Sequence, residues 1–461
     1  MPMHEAADLM RSGDLSSSAL LECFLSRIRK YDAKLHAFVE IYEKEARDAA
    51  ESADRALQSG RTLAPLHGIP IAYKDLLDIT GKKTTGGSLF WRERVSSVTA
   101  TVVQRLTAAG MVPLGKTHMV EFAFGSWGTN STMGTPRNPW DMRTPRAPGG
   151  SSSGSGVAVA AGLAPAAIGS DTGGSVRIPA SLCGVVGLKT TVGRVSNFGS
   201  LRLSETLDTI GPMTRDVEDA AFLFSAMHGP DPNDPQTLSH PPVDVLANLK
   251  SGVVGLRFAI LPVAELKEID HEVMRAFEAA LDVMRGLGAR VDVMTLPATI
   301  KRLADLTGKI IAAESYKLHA EWINRDDLPF DPNVRDRMRW ARSLTASDYS
   351  AMLDERQVAL LRMQNAMRNF DALLLPTTPL PAAPLAEVDQ GKSPMSVLTR
   401  PVNLLNLCGL ALPCGFTSGG LPVSLQIVGK GYDEAKILRI GWAYEDATGW
   451  HRRHASLPGS R

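Results

Sequence analysis

Two glycine- and serine-rich segments on either side of a short apolar stretch constrain this chain more than any other feature. The first covers residues 149–156, the second covers residues 169–177, and the apolar residues 157–168 lie between them. Glycine loses more conformational freedom on ordering than any other residue, so an ordered glycine run marks backbone that bends sharply or approaches a ligand closely. A flexible linker is the alternative for each segment alone. The buried character of the stretch between them favours two ordered loops.

Short apolar runs alternate with helical patterns along most of the chain. A strand is predicted at residues 69–73, a helix at 99–109 that Gly110 ends, and a further strand at 111–114. This alternation predicts an α/β fold: a single large mixed, mostly parallel central sheet covered by helices on both faces. Further predicted elements are strands at 256–261, 290–294, 372–375 and 421–428, and helices at 270–287 and 433–447.

The length of 461 residues exceeds that of a usual single domain. The alternation nevertheless never breaks cleanly, so we expect one unit over residues 1–461. Within it, residues 1–60 are predicted to form two amphipathic helices, residues 65–230 a core, and residues 251–461 a part that completes the sheet.

Composition narrows the classes of partner. The chain is 44% hydrophobic and carries 50 basic and 49 acidic residues. This balance provides no excess of positive charge for binding nucleic acid or a membrane surface. The four cysteines are scattered, without zinc-site spacing or a disulfide framework, so a reduced cytoplasmic protein is expected. Neither a secretory signal nor an apolar run of membrane-spanning length is visible.

Three short motifs invite a functional interpretation that their context opposes. Residues 110–117 spell a nucleotide-binding P-loop, but an apolar strand stands where the loop should be. Residues 150–154 spell the G-x-S-x-G turn of α/β hydrolases, yet no buried strand precedes Ser152. Asp171-Thr-Gly spells half of an aspartic-protease site, and no second copy exists to form the pair of carboxylates.

Three blocks together resemble the amidase signature family. They are Gly68-Ile-Pro-Ile-Ala-Tyr-Lys-Asp75, Gly149-Gly-Ser-Ser-Ser-Gly-Ser155 and Gly169-Ser-Asp-Thr-Gly-Gly-Ser-Val-Arg-Ile-Pro-Ala180. Ser151 and Ser175 lie 24 residues apart, which is the spacing of that family. The resemblance extends from about residue 5 to residue 455. It implies the large mixed sheet of this family, without a metal or a cofactor.

The resemblance also implies a role for each matching residue. Ser175 would be the nucleophile, Ser151 the bridging serine that follows a cis peptide bond in this family, and Lys74 the base. A lysine acts as a base only when neutral, and burial away from a carboxylate lowers its pKa. The oxyanion hole would be formed by the backbone amides of Thr172, Gly173, Gly174 and Ser175.

Two neighbouring charged residues and four pocket residues each have an alternative role. Asp171 and Arg177 are expected to hold the loop, with contact between Arg177 and an acidic substrate as the alternative. The segment Phe124, Gly125, Ser126 and Trp127 is expected to face the acyl group of the substrate, preferring compact planar or aromatic groups. The alternative is that both aromatic side chains belong to the core.

The predicted function is hydrolysis of an amide, anilide, carbamoyl or ureido C–N bond of a small molecule. The alternative is an amidotransferase subunit that releases ammonia for a tRNA-charging complex, although residues 313–337 lack the glutamine-recognition stretch of that relative. A third hypothesis, an assembly protein without activity, is opposed by the intact lysine and two serines. No nucleic acid or membrane partner is expected, and the sequence leaves undecided whether the chain forms a homodimer.

Overall fold

One sheet of eleven strands organises the molecule. The computed structural model describes residues 1–59, 63–392 and 394–459, and the strand order in the sheet is β1-β3-β2-β4-β6-β5-β10-β11-β9-β7-β8. Residues 60 and 461, which end two of the predicted parts, lie outside the described residues. The strands are β1 (Phe38–Ile41), β2 (Pro70–Lys74), β3 (Val112–Thr117), β4 (Ala166–Asp171), β5 (Val186–Lys189), β6 (Thr209–Thr214), β7 (Arg257–Ile260), β8 (Arg290–Val293), β9 (Ala372–Pro376), β10 (Cys408–Phe416) and β11 (Pro422–Gly429).

Helices connect and cover these strands. They are α1 (Met3–Ser12), α2 (Ser17–Leu35), α3 (Glu43–Gln58), α4 (Thr101–Ala108), α5 (Ser153–Ala160), α6 (Arg177–Cys183), α7 (Val217–Met227), α8 (His271–Gly286), α9 (Ile300–Ile323), α10 (Pro332–Arg339), α11 (Ala346–Ala366), α12 (Arg400–Leu404) and α13 (Glu434–Thr448). No helix of the described ranges combines the length and apolar character that crossing a membrane requires.

The large mixed sheet is confirmed, but its strands are not mostly parallel. Six of the ten strand pairings are antiparallel and four are parallel. The parallel strands are β3-β2-β4 on one side and β9-β7-β8 on the other, where helices provide the crossovers. Between them, β6, β5, β10 and β11 pair antiparallel, because long-range pairing and a hairpin, rather than βαβ units, join this part of the sheet.

Helices pack on both faces of the sheet, as predicted. Successive side chains of a strand point to opposite faces, and in β4 Ala167 belongs to the apolar cluster that contains α5 and α6. Its neighbour Ile168 belongs to the cluster that contains α7 and α13. The glycine-rich segments therefore lie at the ends of elements that are buried on every side.

The N-terminal part differs from its prediction. Residues 1–59 form three helices and the short strand β1, rather than two helices. β1 pairs antiparallel with β3 at the edge of the sheet. A four-residue edge strand shows too few alternations for its period to be recognised in the sequence.

Candidate active site

Lys74 lies at the carboxyl end of β2, beside the carboxyl end of β4. The two strands are parallel neighbours, with Tyr73 opposite Ile168. Their ends therefore meet at the same edge of the sheet, which is where open α/β sheets bind ligands. The Nζ atom of Lys74 lies 2.7 Å from Ser151 Oγ and 2.8 Å from Ser170 Oγ, and donates to both.

The surroundings of Lys74 favour its neutral form. The side chain is fully buried, and among the ion pairs of the described residues none involves Lys74. Burial lowers the pKa of Lys74 to about 7, although the more distant carboxylates of Asp171 and Asp208 favour the charged form. A substantial fraction of this amine is thus unprotonated near neutral pH and able to accept a proton.

Ser151 is held from both sides of its own backbone. The Gly150–Ser151 peptide bond is cis, as the resemblance implied. The carbonyl oxygen of Ser151 accepts the N–H of Val120 at 3.1 Å, and the N–H of Gly150 donates to the carbonyl of Ser126 at 2.8 Å. The segment before α5 is thereby tied to the loop at residues 120–127, which fixes Ser151 beside the lysine.

Ser175 lies in the loop that joins β4 to α6. Its carbonyl accepts the N–H of Ser152 at 3.2 Å, which connects the two glycine- and serine-rich segments directly. Ser175 is 8% exposed and lines a pocket. Its hydroxyl-bearing side chain therefore combines near-complete burial with access from one direction.

Asp171 organises the loop that carries Ser175. One carboxylate oxygen accepts the N–H of Gly174 at 2.8 Å, and the other accepts the N–H of Val176 at 3.2 Å. The predicted oxyanion hole is therefore corrected at Gly174, because the carboxylate already takes its N–H. The amides of Thr172, Gly173 and Ser175 have no acceptor among the described residues and stay available.

Arg177 forms a buried ion pair with Asp171. The two guanidinium contacts measure 2.9 and 3.0 Å, and both side chains are fully buried. Burial alone would raise the pKa of Asp171, but the charge and hydrogen bonds of Arg177 hold it below its ordinary value. Arg177 also donates to Asn403 Oδ1 and Gln426 Oε1 at 2.6 Å each. These contacts use the guanidinium for structure, so the alternative of a substrate contact is not supported.

The loop also requires glycine where it meets the C-terminal half of the chain. Thr399 Oγ1 donates to the carbonyl oxygen of Gly173 at 2.7 Å. At Gly174 the φ angle is +125°, and a Cβ atom there would lie 2.2 Å from Thr399 Oγ1. Only glycine combines that backbone conformation with so close an approach.

The pocket at Ser175 is narrow and contains most of the predicted acyl-binding segment. Its cavity volume is about 30 Å³. Phe124, Gly125 and Ser126 line it, and the hydroxyl of Ser126 is buried without a hydrogen-bond partner among the described residues. The remaining lining residues are Ala123, Gly150, Thr172, Gly173, Ser175, Ile178, Leu203, Ile311, Arg337, Ser396 and Arg400.

Trp127 is placed elsewhere, and the prediction that it lines the pocket is wrong. It packs in an apolar cluster with Ile178 and Leu182. Its indole N–H donates to the carbonyls of Asp389 at 3.1 Å and Lys392 at 3.0 Å. An aromatic side chain that satisfies its polar atom in this way is a core residue, which is the alternative that the sequence left open.

Sequence reasoning missed three side chains at this site. Ser170 is the second partner of the Lys74 amine, and its position inside the block Gly169-Ser170-Asp171 could have indicated it. Arg337 and Arg400 line the pocket from α10 and α12. They lie more than 150 residues along the chain from Ser175, and no local pattern connects them to it.

The rejected motifs have structural roles. Lys116 of the P-loop spelling is fully buried in β3, where its amine lies 2.8 Å from Thr84 Oγ1 and 3.5 Å from Asp75. Ser152 of the G-x-S-x-G spelling is also fully buried, and its hydroxyl contacts the backbone of Ser170. Neither residue lines the Ser175 pocket.

Comparison with known proteins found a matching family and several relatives. The sequence model of the family described as Amidase matches residues 19–438. A glutamyl-tRNA(Gln) amidotransferase subunit from Roseiflexus sp. (strain RS-1) is 38% identical over 99% of this chain and 98% of its own length.

Solved structures share the fold over the whole chain. A protein from a vestigial complex that reveals the origins of an s-triazine catabolic enzyme has a TM-score of 0.92, with 32% identity over 99% of this chain and 100% of its own. The native peptide amidase of Stenotrophomonas maltophilia has a TM-score of 0.87, with 31% identity over 99% of each chain.

Proposed function

The chain belongs to the amidase family, and from this premise we propose that it hydrolyses the C–N bond of a small amide through an acyl-enzyme on Ser175. The Ser175 oxygen attacks the carbonyl carbon while its proton passes to Ser151, whose own proton passes to Lys74. The C–N bond then breaks, and the departing nitrogen takes up the proton. Water hydrolyses the ester that remains and regenerates the serine.

The observation that carries this proposal is the contact between Lys74 and Ser151. A serine hydroxyl is a weak nucleophile and needs a base within hydrogen-bond reach. Here the base is a buried amine with a pKa of about 7, and it lies 2.7 Å from a hydroxyl that sits in the same pair of loops as Ser175. A general base acts best when its pKa is close to the working pH.

Backbone amides would stabilise the oxyanion of the tetrahedral intermediate. The amides of Thr172, Gly173 and Ser175 are the free donors of the loop, and all three residues line the pocket. One such donor contributes about 3–4 kcal/mol to the transition state in serine hydrolases. The Asp171–Arg177 pair would hold the backbone of this loop in the conformation that directs these amides into the pocket.

An amidotransferase subunit is the second candidate, and sequence similarity supports it better than a free-standing amidase. The relative from Roseiflexus carries that name and aligns over nearly its full length. Its chemistry at the serine would be the same, with the released ammonia delivered to a partner. Against it, none of the described residues that line the Ser175 pocket is acidic, whereas glutamine carries an ammonium group that favours a carboxylate partner.

Labelling with a fluorophosphonate tests the proposal without knowledge of the substrate. We expect covalent modification of Ser175, located by peptide mapping, and its loss in Ser175→Ala with the fold intact by circular dichroism. Ser152→Ala is the matched control, because Ser152 is a fully buried serine of the neighbouring segment whose hydroxyl contacts only backbone. Modification at Ser152, or none at all, would contradict the proposal.

Ammonia release then separates the two candidates. A free-standing amidase should release ammonia or amine from a panel of amides, anilides and ureas as the isolated chain. An amidotransferase subunit should hydrolyse glutamine best and do so faster with its partner proteins present.

We also propose that the chain forms a single folded unit and works in the cytoplasm. One continuous sheet supports the single unit, and four free cysteines among the described residues support the reducing compartment.

A further inference from the structure

Two arginines lie where the Ser175 pocket joins a wider cavity that is open to solvent. Arg337 and Arg400 line the narrow pocket, and both also line an adjoining open cavity of about 600 Å³. Phe124 is the third residue that the two cavities share. A substrate that reaches Ser175 by this route must pass both guanidinium groups.

Neither guanidinium forms an ion pair with a described residue, although Asp336 and Asp305 line the wider cavity and favour the charged forms of Arg337 and Arg400, respectively. Within the described ranges, no carboxylate oxygen lies within 4.0 Å of a nitrogen of Arg337 or Arg400, although many surface arginines of this chain have such a partner. Among the described residues Arg337 donates only to the carbonyl of Gln390, at 3.0 Å, and its Nε is buried without a partner. Both arginine side chains are half-buried. Removing a cation from water is costly unless it is paired, so two unpaired guanidinium groups in one pocket suit it to an anion.

Both arginines lie close to glycines of the two segments that line the Ser175 pocket. A Cβ atom at Gly125 would lie 3.4 Å from a terminal nitrogen of Arg337. A Cβ atom at Gly173 would lie 3.2 Å from the Cγ of Arg400 and 3.8 Å from its Nε. Arg337 therefore stands over the acyl-binding segment, and Arg400 stands over the loop whose free amides flank Ser175.

The two positive charges also oppose each other. Burial, with a smaller contribution from the charge of Arg337, lowers the pKa of Arg400 to about 10, while Asp305 favours the charged form. Arg400 still carries its proton at neutral pH. An anion bound between the two groups would relieve both the desolvation and the repulsion.

We propose that Arg337 and Arg400 bind a carboxylate on the acyl part of the substrate, so that the enzyme prefers short amides whose acyl group ends in an anion. This inference rests on the proposed function, because it places the anion relative to an acyl group on Ser175. Arginine suits the task, since its planar fork matches a carboxylate with two parallel hydrogen bonds. The small volume near Ser175 limits the distance between amide and carboxylate to a few bonds.

Protection of Ser175 from a fluorophosphonate measures anion binding directly. Malonate and succinate should slow the labelling of Ser175 in a saturable manner, at constant ionic strength set with KCl. The neutral diamides malonamide and succinamide are the matched controls for size and shape, and they should protect at least about tenfold more weakly. Ammonia release should follow the same order, with succinamate hydrolysed at least about tenfold better in kcat/KM than succinamide.

Substitutions assign the effect to the two side chains. Arg337→Gln and Arg400→Gln should each reduce the preference for succinate over succinamide by about tenfold or more, because each removes a charged donor. Arg400→Lys keeps the charge and should restore part of the preference, which separates loss of the anion site from misfolding. Lys301→Gln removes an exposed charge of α9 outside both cavities, and should leave labelling and protection unchanged.

The outcomes distinguish this inference from the function on which it rests. If Ser175 is labelled but succinate protects no better than succinamide, or the arginine variants keep the full preference, the anion site is wrong and the serine mechanism stands. If Ser175 is not labelled, the proposed function itself fails. Protection that disappears in both glutamine variants and persists in Lys301→Gln would establish the site.

Discussion

Lys74 and Ser151 are 77 positions apart in the chain, yet their side-chain nitrogen and oxygen lie 2.7 Å apart in the closed interior of the molecule. The amine reaches this position because β2 ends beside β4, and the hydroxyl because the segment before α5 is bonded to the loop after β3. Contact between an uncharged amine and a hydroxyl is what the proposed proton relay requires.

The rate of Ser175 labelling should rise with pH through about 7 and level off above it. The base works only when unprotonated, and its unprotonated fraction increases as the pH passes the pKa of Lys74. Lys74→Ala should lower the rate by about 10²–10⁴-fold and remove this rise. Rates measured over a pH series that brackets neutrality check both statements, and a wild-type rate that falls with pH would contradict them.

Burial of Lys74 should also make stability depend on pH. The folded-state pKa of Lys74 lies below the ordinary value of 10.5, so between pH 7 and 10.5 the unfolded chain binds a proton that the folded chain does not. The contribution of this residue to the free energy of unfolding therefore rises with pH over that window. Lys74→Met should gain more stability, relative to wild type, at about pH 7 than at about pH 9.5.

Urea unfolding at the two pH values measures this difference. Lys301→Met is the control, since that lysine is exposed on α9 and its replacement should have the same effect at both pH values. Equal effects of Lys74→Met at the two pH values would show that the lysine does not lose its proton on folding.

Ser170 should act as a positioning residue for the base. Its hydroxyl is the second acceptor of the Lys74 amine, at 2.8 Å. Ser170→Ala should slow the labelling of Ser175 by about fivefold, the equivalent of roughly 1 kcal/mol for one hydrogen bond. Ser170→Thr keeps a hydroxyl and should recover most of the rate. A merely structural serine would lower the melting temperature in the alanine variant without this rescue of rate.

Asp171→Asn should destabilise the fold. The substitution leaves the Arg177 guanidinium buried without its counter-charge, and breaking one partner of a buried pair costs about 3–5 kcal/mol. The exposed pair Lys44–Asp48 offers a contrast, because Asp48→Asn should leave the unfolding midpoint in urea unchanged. A similar midpoint for the wild type and Asp171→Asn would show that the pair does not hold the loop.

Phe124 and Trp127 should respond differently to truncation. Phe124 lines the pocket, so Phe124→Ala should lower kcat/KM for an aromatic or planar acyl group by more than for a small aliphatic one, by about 1–3 kcal/mol in transition-state binding. Trp127→Ala should instead lower stability by about 3–5 kcal/mol and affect all substrates alike. Substrate-selective loss in Trp127→Ala, with unchanged melting temperature, would return this residue to the pocket.

Local patterns predicted the elements that hold the reacting groups. The strand that ends at Lys74 and the glycine runs around Ser151 and Ser175 are visible because each needs special residues within a few positions. The antiparallel majority of the sheet was not predictable in this way, because hydrophobic periodicity identifies a strand but not its neighbours. The functional roles of these residues remain predictions.

The distant half of the pocket escaped prediction for a physical reason. Arg337 and Arg400 look like ordinary surface arginines in the sequence, and only the fold shows that they line the Ser175 pocket. The hydrogen bond from the Gly174 amide to Asp171 was not predictable either. A glycine run indicates that another group approaches the backbone closely, but it does not show which atom approaches.

The contacts of Arg177 also bear on how the protein matures on the ribosome. Ser175 and its loop are synthesised more than 200 residues before Asn403 and Gln426, which complete the hydrogen bonds of the buried guanidinium. A nascent chain that has exposed Ser175 thus still lacks the side chains that support the loop carrying it. If Ser175 acts as proposed, its reactivity should arise only when translation is nearly finished, and prematurely terminated chains should not be labelled at this residue.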